Sequence, residues 1–138
     1  MKVKDVIRYG KLAKQIIDNE KEVSALIKFK LLGIAKQCQP VVSDYETIRE
    51  EKIAKYGTTN DQGITGIFAP KEDDFEDKKE FEDAVKQYES VMDEFYKDLN
   101  EILESESNVE IKKFKSDDIM NAGLSSDCLL ALYDLIEE

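Results

Sequence analysis

The residues best equipped for chemistry in this chain are carboxylates: Glu72, Asp73, Asp74, Glu76 and Asp77, then Glu80, Glu82 and Asp83. Carboxylates on helices bind metals or trade protons when they project inward from facing helices. These instead crowd a helix start, where the macrodipole favours negative charge, so capping and solvation account for them. The chain has no histidine, which removes the commonest general base and the commonest metal ligand. Cys38 and Cys128 stand alone, whereas a zinc site needs ligand pairs at close spacing. Gly33, Gly57, Gly63 and Gly66 never make the glycine-rich turn leading to Lys and Ser or Thr that cradles phosphate. "NDQGITG", residues 60–66, lacks the alternating ligands and closing glutamate of a calcium loop. Tyr45, Tyr88 and Tyr96 fall on or beside apolar stripes and read as packing residues. The expectation is a protein without catalytic residues, metal or cofactor, and not an enzyme.

Without a catalytic constellation to position, the elements must be read for what they build. A chain of 138 residues is one domain's worth, with a single modest core. It is 41% apolar and 37% charged, the balance of a soluble helical protein with one buried stripe per helix. No apolar run approaches the length of a membrane span, and the charged start Met1–Asp5 is not followed by the apolar core of a signal peptide. Both cysteines sit among apolar residues, where a free thiol behaves as a small hydrophobe, and the expected compartment is a reducing cytoplasm.

The formal charge is −11, which disfavours direct nucleic-acid binding, since that needs clustered Lys and Arg. The charge is also uneven. Residues 1–56 are net positive by four, leaving −15 for the rest. Two readings follow: solvated helix faces attracting each other, or a field that steers a basic partner.

Periodicity supplies the architecture. Ile27, Leu31, Ile34, Cys38, Val41, Tyr45 and Ile48 alternate spacings of four and three, a seven-residue repeat. Pro40 lies inside it and predicts a kink near Lys36–Pro40 rather than an end. Phe81, Val85, Tyr88, Met92, Phe95, Leu99 and Ile102 repeat the pattern over the same length. Two equal seams predict a mainly α protein: a long antiparallel, coiled-coil-like helical hairpin. Its arms run near 23–56 and 73–105 within a single domain, 1–138. If Ile27 faces Ile102, then Lys30 lies beside Asp98, Arg49 beside Glu82 and Tyr56 opposite Asp73.

Leu26, Phe29 and Leu32 point away from the seam and call for a cover. The candidates are a first helix carrying Val6, Ile7, Leu12, Ile16 and Ile17, or a C-terminal helix burying Leu129, Leu130, Leu132, Tyr133 and Ile136. The C-terminal helix should start at Ser125, with Leu124 and Leu129 as a hydrophobic staple and Gly123 in the turn before it. In the link, Gly57 should end the second helix and Asp73 or Asp74 cap the third. Ile64, Ile67 and Phe68, and separately "NVEIKKFK" (108–115), suggest small β elements.

The order of elements resembles a family of small bacteriophage proteins of unknown function. The likeness rests on "KFKLLGIAKQCQPVVSDYETIREEKIAKYG", within which Tyr45, Glu46, Arg49, Lys55, Tyr56 and Gly57 match an acidic segment ending in "KYG". Leu124, Ser125, Leu129 and Leu132 match a terminal element. The sequence departs from that pattern at Pro40 and in a longer link. The resemblance implies a phage protein in the host cytoplasm or associated with the virion. The first expectation is then an accessory or virion-assembly protein working as an oligomer through protein–protein contacts, with no membrane and no direct nucleic-acid partner. The second is an inhibitor of a host defence protein that uses an acidic, nucleic-acid-mimicking surface. The third is an oligomer sequestering a nucleotide signal, with Lys28, Lys30 and Arg49 as phosphate contacts. Candidate protein-binding residues are Glu80, Asp83 and Glu94 on the acidic arm, and the apolar Leu26, Phe29 and Leu32.

Overall fold

The computed structural model describes residues 1–138. Five α-helices form in chain order: α1 (Val3–Asn19), α2 (Ala25–Tyr56), α3 (Lys78–Leu103), α4 (Ser116–Met120) and α5 (Ser126–Ala131). A two-stranded antiparallel sheet, β1 (Thr58–Thr59) and β2 (Thr65–Gly66), fills part of the link between α2 and α3. The fold is therefore mainly helical, with a long hairpin and a small β element. No helix is long and apolar enough to cross a membrane. The chain divides into two compact units, a terminal unit of Met1–Ser43 with Ser105–Glu138 and a middle unit of Asp44–Glu104. Helix α2 contributes to both.

In the terminal unit, α1 carries Val6, Tyr9, Ala13 and Ile16 at helical spacing, all buried. They pack with Ile27, Leu31, Ile34 and Cys38 of α2 and with Phe114, Ile119, Leu132 and Leu135 from the chain's end. Ser24 starts α2, its Oγ accepting from the Ile27 N–H at 3.4 Å. Gly10 sets how closely α1 lies on α2, because a Cβ there would stand 2.7 Å from Cys38 Cβ. The tail is sewn on through its backbone. Val3 N–H donates to Ser105 O (3.0 Å), Ser24 N–H to Ala122 O (2.8 Å), and Phe114 N–H to Leu135 O (2.7 Å). Gln37 Nε2 adds a bond to Glu110 O at 2.7 Å.

The helix passes through Pro40 without ending, although a proline there cannot donate to the carbonyl of Lys36. The boundary between the compact units falls one turn later, after Ser43. In the middle unit only Phe95 and Leu99 are fully buried. The remaining apolar positions of both stripes, Tyr45 and Ile48 on α2 and Phe81, Val85, Tyr88, Met92 and Ile102 on α3, are half-buried.

Several expectations need correction. Asp98 is reached by Lys52 and Tyr56, not by Lys30, whose carboxylate neighbour is Asp118 at 3.8 Å. The hairpin register is thus displaced by about six helical turns along α2 from the one that equal seams implied. The reason is competition: α1 and the tail occupy the inner half of the α2 seam, and α3 is left the outer half. Asp77, not Asp73 or Asp74, caps α3, accepting from the Lys79 N–H at 3.0 Å. Residues 72–74 form a separate 3-10 turn. "NVEIKKFK" forms no strand; only Phe114 makes a bridge, parallel to Ile136. Ser125 does cap α5, and Gly123 takes φ +83°, a backbone state its missing Cβ makes accessible. Leu130 and Tyr133, expected inside, are exposed, and Leu135 is buried in their stead.

These packing facts make a testable contrast. Gly10→Ala should raise intrinsic helix propensity yet destabilise by about 1–3 kcal/mol, because overpacking outweighs a gain of about 1 kcal/mol. Leu31→Ala should cost about 2–5 kcal/mol through the cavity it leaves, and Glu80→Ala roughly 0.5 kcal/mol or less. Denaturant midpoints read all three, and a more stable Gly10→Ala would show that the helices do not touch there.

Candidate protein-binding surfaces

All of the net charge resides in the middle unit. Asp44–Glu104 holds nineteen carboxylates against eight Lys and Arg, whereas the terminal unit holds twelve of each. The sequence-predicted residues Glu80, Asp83 and Glu94 are all exposed on α3. At 100° per residue they fall within about 60° of one another on the helix, and Glu101 joins them, giving a carboxylate stripe about 30 Å long. Phe95 and Leu99 fall about 120° round α3 from the centre of the stripe, whose four carboxylates are all exposed.

One carboxylate of α3 is satisfied within the unit. Asp98 Oδ2 accepts from Tyr56 Oη at 2.9 Å and pairs with Lys52 Nζ at 3.3 Å. The hydrogen bond from Tyr56, then the bond and charge of Lys52, hold the Asp98 carboxyl below its ordinary range despite partial desolvation. The same bond, first, and then desolvation and the negative charges of Asp98 and Glu94 push the Tyr56 hydroxyl up. Lys55 sits 5.1 Å from the Tyr56 ring centroid. Tyr56 and Asp98, expected at separate places in the hairpin, therefore meet with Lys52 in one cluster that pins its register.

Asn60 Oδ1 accepts from the N–H groups of Gln62 and Ile64, both at 3.0 Å, which makes "NDQG" a self-bonded turn between β1 and β2. No group of three or more His, Cys, Asp or Glu side chains has the geometry to hold a metal ion. The Cys38 thiol is pushed up by burial. The Cys128 thiol is pushed up first by desolvation, against a lowering from its hydrogen bond with Ser125, and further by donating to Glu20 Oε1 at 3.2 Å. Both shifts favour the protonated thiol, the opposite of what activates a nucleophile.

The terminal unit carries two apolar surfaces. The first is the α2 face of Leu26, Phe29 and Leu32, which neither α1 nor the tail covers; Phe29 is 74% exposed. The second escaped the sequence reading. Met120, Leu129, Leu130, Tyr133 and Ile136 line a groove of about 570 Å³ at the end of the chain. Its signal was the pair Leu129–Leu130: neighbours on a helix of six residues cannot both face one core. Lys28, Lys30 and Arg49, the phosphate contacts considered above, are divided between the units, with Arg49 alone in the middle one.

Comparison of the chain with protein-family models, curated proteins and solved structures gives no match.

The Asp98 cluster predicts a pH signature. Its folded pKa is depressed, so its stabilisation is complete above the ordinary aspartate range and lost as pH falls through the folded value. Tyr56 is raised, so its share is complete below the ordinary tyrosine range and lost as pH climbs through its folded value. Tyr56→Phe should destabilise at pH 7, and the gap to wild type should close in acid. Carboxyl NMR should find Asp98 titrating higher in Tyr56→Phe; an unchanged Asp98 would mean that Tyr56 does not hold it.

Proposed function

We propose that this chain is a non-enzymatic protein-binding module whose acidic middle unit engages a basic surface on another protein. The resemblance to small phage proteins supplies the setting, an accessory or virion-assembly role. The observation that carries the reading is the segregation of charge: −11 in the middle unit and none, net, in the terminal unit. Within α3 eight carboxylates stand against four lysines, and the link adds Glu72, Asp73, Asp74, Glu76 and Asp77. An exposed field of one sign speeds encounter with a partner of the other and repels wrong ones.

A second reading uses the same stripe. A rod of carboxylates about 30 Å long has the outline of a nucleic-acid backbone, so the basic partner would be a host defence protein and the contact inhibitory. Recovery of the bound partner from infected host cells separates the two: structural proteins of the virion favour the first, a nuclease the second.

Replacing Glu80, Asp83 and Glu94 together by Gln, Asn and Gln tests the shared premise. Association of the wild type with its partner should slow as salt rises, because exposed charges are screened over about 8 Å at physiological ionic strength. The triple variant should associate several-fold more slowly at low salt and depend less on salt, with an unaltered melting curve. Normal binding by that variant at both low and high salt would leave the acidic stripe merely solvated.

A further inference from the structure

The two apolar surfaces of the terminal unit are complementary to each other. One is convex: a helix face presenting Leu26, Phe29 and Leu32, with Phe29 74% exposed. The other is concave: the groove of about 570 Å³, walled by Met120, Leu130 and Tyr133. Their charges are opposite. From Ser24 to Ser43 the chain holds Lys28, Lys30 and Lys36 and no carboxylate at all. The groove is rimmed by Asp134, Glu137 and Glu138, with Lys113 its only base.

We propose that the terminal unit pairs with a second copy of the chain, the Leu26–Phe29–Leu32 face of one seating in the groove of the other. A second copy is the occupant because one chain carries both halves of the match, apolar body to apolar body and lysines to carboxylates. A two-fold axis that exchanges the two surfaces makes each contact twice, which closes a dimer and leaves neither surface open. The terminal unit is also the half of the chain where like charge does not oppose pairing, since its acids and bases balance. This pairing is independent of what the acidic middle unit binds.

Charge reversal on the full-length chain tests it. Lys28→Glu with Lys36→Glu makes both surfaces acidic; Glu137→Lys with Glu138→Lys turns most of the groove rim basic. Sedimentation velocity should find the wild type dimeric at roughly 100 µM, and each double variant should dimerise at least about tenfold more weakly. An equimolar mixture of the two should recover the dimer, because each then offers what the other lacks. Phe29→Ser and Leu130→Ser, at exposed positions, should weaken pairing without charge change and serve if a double variant loses its circular-dichroism signature. A monomeric wild type overturns the proposal. So does a groove variant that dimerises normally, which would mean that the α2 faces meet each other, or a mixture that stays monomeric.

Discussion

The approach of α1 to α2 at Gly10 is the constraint on which the rest of the terminal unit depends. A glycine inside a helix costs about 1 kcal/mol of propensity relative to alanine, yet here it lets the backbone of α1 come within reach of Cys38 Cβ. That closeness brings Val6, Tyr9, Ala13 and Ile16 onto Ile27, Leu31 and Ile34. The thiol of Cys38 is the small apolar group that fits beneath it, fully buried and protonated. Once this crossing is made, the inner half of the α2 seam is filled, and only Phe114, Ile119, Leu132 and Leu135 from the tail remain to close it.

This division of one helix between two sets of neighbours is what periodicity could not reveal. Heptad spacing correctly identified the buried stripes: every seam residue from Ile27 to Ile48 and from Phe81 to Ile102 is buried or half-buried. Spacing says which face is buried, but not against what. Two stripes of equal length suggested each other as partners, and their flanking charges fitted a register that the structure does not adopt. Gly10 held the missing information, because a small residue on an apolar stripe marks where a neighbouring helix comes closest. Local signals fared better because they are settled by neighbours in sequence. Ser125 as a cap and Gly123 at positive φ needed only hydrogen-bond and steric arguments, and Pro40 within a continuing helix needed little more. Asp77 displaced Asp73 and Asp74 as the cap of α3 because several acids in a row satisfy the same rule.

The candidate surfaces were legible in part, for a related reason. Leu26, Phe29 and Leu32 stood out as apolar residues with no place on the seam, and the structure leaves them exposed. The C-terminal groove was hidden because its residues alternate between core and wall within a few positions, Leu132 and Leu135 inward, Leu130 and Tyr133 outward. On elements of six residues or fewer, a stripe is too short for its period to be read.

Charge and core are distributed in opposite senses. The terminal unit is electrically balanced and holds nearly all the fully buried side chains, whereas the middle unit carries the whole net charge on a core of Phe95 and Leu99. A unit with so little buried surface gains nothing for its own stability from crowding carboxylates on its outer face, since like charges repel and surface ion pairs contribute little. Asp98 marks the contrast, because it alone among the α3 carboxylates is held by both a tyrosine and a lysine of the facing helix. Glu80, Asp83, Glu94 and Glu101 are exposed, in a unit whose nineteen carboxylates its eight bases cannot balance. Charge held at a cost to the unit that bears it is the physical ground for the proposal that this unit meets a partner of opposite charge.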